Sequence, residues 1–287
     1  MCRINPRVDF AFKKLFGSEE NKDLLLSLIN AILDLDPPIA EVVLKNPYNL
    51  ADYKAGKLSI LDIKARDERG RWFNVEMQVN EDLYYDKRAL YYWSRLVSDP
   101  LGEGRIYQEL NKTYSINILD FNLTPGDRFQ TRYRILNADT CKDDGLHDVF
   151  ELHYLELRRF TKGFDQLTTA LDRWAAFLSR AHQLDKQALP PALAADPSIV
   201  KAVAAVDRMF DEEEREIYAI RMQVVMDEMS RIASAEEKGK SEGKAEGKLE
   251  ATRQLVRGML AEGLPVALIE RVTGLSPDEI AELAPGP

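Results

Sequence analysis

The sequence predicts a mixed α/β fold followed by a helical C-terminal extension. Residues 8–35 carry apolar side chains at helical spacing. Two extended runs, 58–66 and 71–79, flank a glycine-bearing turn at 67–70, which is typical of a β-hairpin. After about residue 160, apolar residues recur every three or four positions and predict helices. This order of elements indicates a mixed sheet that helices cover.

The other elements are predicted from local patterns. The helical pattern of 8–35 breaks at Gly17-Ser18 and ends at Pro37-Pro38. An amphipathic helix at 81–98 ends before Pro100. Strands are predicted at 112–121, 130–137 and 148–156, and later helices at 164–181, 198–210 and 211–262, with two short helices in 263–283. We therefore divide the chain into a core (1–160), a helical part packed on it (161–210), a long helix (211–262) and a small two-helix element (263–287).

Composition narrows the class of protein. The 287 residues carry a formal net charge of −9, which counts against a simple nucleic-acid binder unless basic side chains are concentrated locally. The two cysteines, Cys2 and Cys141, form no CxxC pair, which fits a reducing compartment. No run of about 18 apolar residues occurs. We expect a cytoplasmic protein that does not span a membrane.

The strongest chemical signal lies in the predicted hairpin. Asp62 is in its first strand, and Glu76 and Gln78 are in its second. Residues two apart on a strand point to the same side, so Glu76 and Gln78 share a face. Carboxylates on adjacent strands can provide part of the oxygen shell that Mg²⁺ prefers. The alternative is that these polar residues merely line a solvated sheet face.

Six stretches of the chain carry a family resemblance: VDFAFKKLFG (8–17), LDIKARDERGRWFNVEMQV (61–79), RALYYWSRLVS (88–98), YQELNKTYSINILDF (107–121), FDQLTTALDRWAAFL (164–178) and AEGLPVALIERVTGLSPDEI (261–280). With these stretches the chain resembles the Rpn-type recombination-promoting nucleases, a transposase-related family of the PD-(D/E)XK nuclease superfamily. The resemblance implies a restriction-endonuclease-like core, with a mixed central sheet flanked by helices, and metal-dependent DNA cleavage in recombination.

The resemblance also implies roles for individual residues. Asp62 matches the aspartate of the PD motif and Glu76 the acid of (D/E)XK, while Gln78 stands where the general motif has lysine and Leu61 where it has proline. Glutamine can orient a water molecule but carries no charge. Lys64, two residues after Asp62, either assists catalysis or is a solvent-facing lysine. Asp9 is either a third metal ligand or an acid favoured by the start of its helix.

Basic residues near these acids are candidate DNA contacts. We assign this role to Lys13, Lys14, Lys87, Arg88, Tyr91 and Arg95, the last four on the predicted helix 81–98. The alternative for most of them is a solvated helix face. Taken together, the sequence predicts a DNA endonuclease that uses Mg²⁺ or Mn²⁺. The other possibility is a nuclease fold kept as a DNA-binding or protein-interaction module with little or no catalysis.

The C-terminal part allows two further predictions. Gly239, Gly243 and Gly247 recur every four residues, so they mark either a flexible tether or a face for close helix approach. The two short terminal helices resemble a helix-turn-helix, with Gly274 as a C-cap and Ser276 and Glu279 as a capping box. Acids on the second helix would repel phosphates. We therefore prefer a packing or homo-oligomerisation element to a DNA reader here.

Overall fold

The computed structural model describes residues 4–46, 48, 62–98, 107 and 110–283. The strands are β1 Val42–Leu44, β2 Ile63–Asp67, β3 Trp72–Gln78, β4 Thr113–Leu119, β5 Gln130–Arg134 and β6 Phe150–Glu156. The α-helices are α1 Asp9–Gly17, α2 Lys22–Leu33, α3 Tyr85–Ser98, α4 Ala170–Arg180, α5 Pro191–Ala194, α6 Pro197–Arg208, α7 Glu212–Ala261, α8 Val266–Thr273 and α9 Pro277–Glu282. Residues 58–61, the start of the predicted hairpin, lie outside the described residues.

The six strands form one sheet in the order β1-β2-β3-β4-β6-β5. β1, β2 and β3 pair antiparallel, β3 pairs parallel with β4 and β4 with β6, and β5 returns antiparallel along β6. The predicted mixed α/β class with helices on the sheet and a helical C-terminal region is confirmed. The sheet places β3 and β4, which are almost wholly buried, at its centre.

The two faces of the sheet differ in what covers them. One face, which we call the core face, carries Phe73, Val75 and Met77 of β3 and packs in the main apolar cluster with side chains of α1, α2, α4 and α6. The other, which we call the α3 face, carries Leu119, Leu152 and Tyr154 and packs against Tyr85 and Ala89 of α3. Alternation along β3 therefore places Asn74, Glu76 and Gln78 on the α3 face.

A tight turn fixes the register of the predicted hairpin. Gly70 has φ +80°, and a Cβ there would lie only 3.0 Å from Nη2 of Arg66, so glycine suits the position. The Asp67 carboxylate accepts hydrogen bonds from the backbone N–H groups of Arg69 and Arg71 and from Nε of Arg71. The resulting register pairs Ile63 with Val75, which puts Asp62 beside Glu76.

The break expected at Gly17-Ser18 separates α1 from α2, with a short 3₁₀ turn at Glu19–Asn21 between them. Two details differ from the sequence-based prediction. Strand β1 was not predicted, and the short helix α5 lies between the predicted helices 164–181 and 198–210, where no helix was expected. Both short elements are held by neighbours: Val42 and Leu44 are buried against the sheet, and Leu193 is buried in the main cluster.

The chain divides into two compact units, Met1–Val225 and Met226–Pro287. The second unit has its own small apolar cluster, formed by Val256, Ile269 and Ile280. Gly239, Gly243 and Gly247 are exposed inside the continuous helix α7, and a Cβ at any of them would meet no described atom within 4 Å. Among the described helices, none combines the length and apolar character needed to cross a membrane.

Candidate metal and DNA site

Asp62, which directly precedes β2, lies beside Glu76 of β3 on the α3 face. The backbone N–H of Asp62 donates a hydrogen bond to Oε1 of Glu76 (3.3 Å), and the Asp62 carboxylate accepts one from the backbone N–H of Met77 (2.9 Å). The amide of Asn74 donates to the same Glu76 oxygen (3.0 Å). Two carboxylates are thus held side by side by backbone and amide donors, and Gln78 follows on the same face.

An asparagine beside β1 fixes the backbone that carries Asp62. Oδ1 of Asn46 accepts from the backbone N–H of Lys64 (2.6 Å), and its Nδ2 donates to the carbonyl of Asp62 (3.4 Å). The backbone of Lys45 also pairs with Lys64. Because these contacts fix the backbone at the Asp62 carbonyl and at Lys64, the edge of the sheet sets the direction of the Asp62 carboxylate.

Both carboxyl groups titrate at higher pH than usual. The pKa of Asp62 is raised from 3.8 to about 6, because burial and, to a smaller extent, the Asp9 charge outweigh the opposing effects of the Met77 N–H and the Lys13 ammonium. Burial, followed by the charge of Asp62, holds the pKa of Glu76 well above its ordinary value. Glu76 is only 1% exposed. Two adjacent acids with raised pKa values form a pair whose ionisation a bound cation would favour.

The atoms available at this pair are hard oxygen donors. Besides the two carboxylates, Oδ1 of Asn74 is buried without a hydrogen-bond partner. Oxygen ligands of this kind suit Mg²⁺ or Mn²⁺, which keep water in the rest of their shell. No group of three or more His, Cys, Asp or Glu side chains able to hold a metal occurs in the described part of the chain.

Asp9 and Lys13, both on α1, act on Asp62 through their charges. Asp9 lies 3.9 Å from Nη1 of Arg221, with its carboxylate 40% exposed. Lys13, assigned to DNA contact from the sequence, is buried, and its ammonium lowers the pKa of Asp62. The structure thus places Lys13 in the interior, where its charge acts on Asp62. Asp9 as a metal ligand stays a prediction.

Gln78 is held by an arginine from α3. Nη2 of Arg88 donates to Oε1 of Gln78 (2.5 Å), while Nη1 pairs with Asp82 (2.9 Å) and the guanidinium lies over the ring of Tyr85 (4.7 Å). A guanidinium only donates, so it fixes which end of the Gln78 amide faces it. The positive charge of Arg88 also lowers the pKa of both Asp62 and Glu76. A cation therefore stands beside the position where the general motif has lysine.

Lys64 shares the α3 face, as its spacing from Asp62 predicts. Its partner across the hairpin is Asn74, one step along the strands from the Asp62–Glu76 pair. The Lys64 ammonium lies 5.0 Å from the ring centroid of Trp72, further along the same face. Lys64 therefore lies near the two acids, and its ammonium contacts the indole of Trp72. Its catalytic role stays a prediction.

The remaining candidate DNA contacts separate into inward and outward groups. Lys14 pairs with Glu214 and lies between the rings of Tyr48 and Phe210, 5.5 and 5.6 Å from their centroids. Arg88 is turned towards Gln78, as described above. Lys87, Tyr91 and Arg95 are exposed along one side of α3, four residues apart. The outward group is the one whose placement suits contact with a duplex.

Comparison with known families decides the class. Residues 6–235 match the model of the PD-(D/E)XK nuclease family transposase. The chain belongs to this family. No curated protein and no solved structure matches the chain. PD-(D/E)XK family membership supports a nuclease-type function, and nucleases of this group generally use divalent metal ions.

A second match covers the C-terminus. Residues 250–285 match the C-terminal helix-turn-helix domain of the Rpn/YhgA-like nuclease family. This stretch includes the end of α7 and helices α8 and α9, with Gly274 at φ +75° and the predicted capping box of Ser276 and Glu279. A helix-turn-helix implies DNA binding. The match therefore counts against our preference for a packing or oligomerisation element, which the acids on α9 had suggested.

Reasoning from the sequence missed Asn74 and Asn46, and it assigned Arg88 and Lys13, which also shape the site of this PD-(D/E)XK family member, to DNA contact. Asn74 could have been found by the same alternation that selected Glu76, since it is the preceding residue on that face. Arg88 was selected, but as a DNA contact. Lys13 interrupts the apolar run FAFKKLF. A lysine in such a run indicates a buried side chain with a charged partner, but only the fold identifies that partner.

Proposed function

We propose that this chain is a DNA endonuclease that uses Mg²⁺ or Mn²⁺ and that promotes recombination by breaking DNA. The observation that carries the proposal is the adjacent pair of carboxylates, half-buried Asp62 and fully buried Glu76, whose pKa values are both raised. Family membership supports the nuclease class. Metal identity, endonuclease action and the role in recombination are the parts proposed here.

Asp62 and Glu76 would hold the ion, with the Asn74 amide oxygen close to Glu76. When bound, a divalent ion supplies Lewis acidity towards the phosphodiester and its attacking water. Asp62 and Glu76 in their ionised forms would provide the charge that attracts the ion. The Met77 N–H and the Asn74 amide hold these carboxylates in place without neutralising them.

Gln78 and Arg88 would divide the work of the missing lysine. Because Arg88 occupies Oε1 of Gln78, the Gln78 Nε2 donors are directed to other partners, and they would orient a water molecule or a phosphate oxygen. The Arg88 guanidinium would offset negative charge that develops on the phosphate. Lys87, Tyr91 and Arg95 on the outer side of α3 would contact the DNA backbone.

Cleavage of supercoiled plasmid tests the proposal. We expect nicking that requires Mg²⁺ or Mn²⁺, and a loss of more than about 100-fold in rate for Asp62→Asn or Glu76→Gln, because each removes a charge on which ion binding depends. Glu81→Gln is the matched control, since Glu81 is exposed beyond the end of β3. Equal cleavage by parent and Asp62→Asn would show that the site is assigned incorrectly.

A second candidate is a DNA-binding module that no longer cleaves. The helix-turn-helix match favours DNA binding, and the uncharged Gln78 in place of lysine favours weak catalysis. Calorimetric titration with Mg²⁺ or Mn²⁺ separates the two candidates. Heat that disappears in Asp62→Asn supports the endonuclease, whereas DNA binding without any Asp62-dependent ion binding supports the module.

A further inference from the structure

A second polar site lies on the core face of the sheet, away from the carboxylates. A cavity of about 870 Å³ opens between α2, strands β5 and β6, and the first turn of α4. Arg132 and His153 are register partners that reach it from β5 and β6. His153 pairs with Ile116, which pairs with Val75, so it lies on the opposite face from Glu76. A ligand here would not share the nuclease site.

His153 is a buried side chain with an unused ring nitrogen. It is 2% exposed, and its Nε2 lies 2.9 Å from Oε1 of Glu151. Although burial raises it, the pKa of Glu151 is lowered to about 2 by the hydrogen bond from His153 and by Lys112, so the carboxylate is ionised and accepts. Nε2 therefore carries a proton. Nδ1 is buried with no hydrogen-bond partner, although the ring borders the cavity.

An unpaired buried nitrogen destabilises the folded chain unless something binds to it. Without a proton, Nδ1 can accept a hydrogen bond from a hydroxyl group. With a proton, it can donate a hydrogen bond to an oxyanion. A phosphate group close to its second ionisation offers both kinds of partner. This favours a phosphate over a carboxylate ligand, which has no hydroxyl at neutral pH.

The charged residues around the cavity also favour an anion. Among the described residues that line the cavity, two are basic, Arg128 and Arg132. The acid that lines it is Asp34, at the C-terminal end of α2. The first turn of α4, at Ala170, also borders the cavity, but its N-terminus is capped by Thr169 and Asp172, so the two arginines supply the attraction for an anion. Behind His153, the Glu151 carboxylate pairs with Lys112 (3.1 Å) and with Nη1 of Arg132 (3.8 Å), and these cations limit its repulsion of an anion.

We propose that this cavity binds a small phosphomonoester, with Arg128 and Arg132 contacting the phosphate and His153 completing its hydrogen bonds. The volume falls within the roughly 300–1,000 Å³ typical of small-molecule sites and exceeds what a bare phosphate ion fills. An organic group on the phosphate, such as a nucleoside, accounts for the remaining space. Asn30 and the apolar side chains of α2 line that part.

Calorimetric titration of the full chain in EDTA tests this inference. The ligands are thymidine 5′-monophosphate, inorganic phosphate and uncharged thymidine. We expect binding of the monophosphate that weakens roughly tenfold or more in Arg128→Gln and in Arg132→Gln, since each removes charge-assisted hydrogen bonds. His153→Gln provides a third variant, and thermal unfolding checks that it remains folded.

Arg134→Gln is the matched control. Arg134 lies two residues along β5 from Arg132, outside the cavity lining, and pairs with Asp143 (2.6 Å). Equal weakening in Arg134→Gln, equally tight binding of thymidine, or no binding at millimolar monophosphate would each overturn the proposal. Binding of inorganic phosphate as tight as that of the monophosphate would keep the phosphate site and identify free phosphate as its ligand. Because the assay contains no metal and measures no cleavage, its failure would leave the endonuclease proposal untouched.

Discussion

At the scale of single residues, the acids of the site could be predicted from the sequence, but the side chains that hold the site in place could not. Alternation along β3 was enough to place Glu76 and Gln78 together, and the hairpin turn was enough to bring Asp62 near them. The Arg88–Gln78 hydrogen bond joins a strand to the following helix, and the direction of that helix is decided by packing of Tyr85 and Ala89 on the sheet. A spacing rule within one element cannot predict such a contact.

The raised pKa of Asp62 has a consequence for stability. The folded chain holds this proton up to about pH 6, whereas an unfolded chain releases it near 3.8. Between these pH values the folded state binds more protons, so the contribution of Asp62 to the free energy of unfolding falls as the pH rises. The sign is that of a buried acid, opposite to that of an acid in a salt bridge.

We therefore expect Asp62→Asn to be more stable than the parent above pH 6 by about 1 kcal/mol in EDTA, after allowance for solvent screening. Below about pH 4 the advantage should vanish, since Asp62 is then neutral as well. Urea unfolding at both pH values measures this, with Glu81→Gln as the control. A variant less stable than the parent at both pH values would contradict the assigned burial.

At the scale of elements, strongly patterned segments were predictable and short ones were not. The hairpin, α3, β4 and β6 were recognised because several residues repeat one periodicity. Strand β1 has only three residues, and pairing with β2 holds it in place. The glycine pattern in α7 stays open between its two interpretations, because within the described residues nothing packs on that stripe. Homo-oligomerisation through this helix likewise stays a prediction.

The contact between α1 and α7 rests on a buried ion pair. Glu214 is 4% exposed and accepts from Lys14, from the hydroxyl of Tyr48 (2.9 Å) and from the backbone N–H of Asp211 (3.1 Å). Glu214→Ala would leave the Lys14 ammonium buried without its partner. We expect it to lower the free energy of unfolding by about 3 kcal/mol.

Urea unfolding measures this loss. Glu212→Ala, an exposed acid two residues earlier in α7, should change the stability by less than about 0.5 kcal/mol. If both alanine variants were equally stable, the Lys14–Glu214 pair would not be the contact that stabilises this junction.

At the scale of the whole molecule, the two units have separate apolar clusters and carry separate family matches. A net charge of −9 argued against DNA binding as a property of the entire surface, but DNA contact needs only local basic groups. We propose the exposed side of α3 as one such place. The C-terminal helix-turn-helix match implies a second DNA-binding part of the chain, which charge counting on α9 alone did not favour.

The separate clusters predict separable effects. Ile280 is fully buried in the second unit, so Ile280→Ala should cost about 2–4 kcal/mol there, enough to loosen a unit of this size. We expect faster amide hydrogen exchange in 250–283 alone, weaker binding of a short DNA duplex, and unchanged ion binding by the nuclease unit. Val266→Ala, at an exposed position, is the control.

Mass-spectrometric hydrogen exchange and fluorescence anisotropy provide the two measurements. Duplex affinity that survives loss of protection in 250–283 would mean that the helix-turn-helix does not bind DNA.

Strand β3 is buried on both sides, with phenylalanine, valine and methionine facing one way and asparagine and glutamate the other. Sliding this strand by one residue against its neighbours would exchange the two sets, moving the Glu76 carboxylate into the apolar core and apolar side chains into the acidic site. The burial of apolar side chains that drives folding therefore also fixes the alignment of Glu76 with Asp62. A mutation that moved β3 by one residue would have to disrupt this burial, and with it the fold.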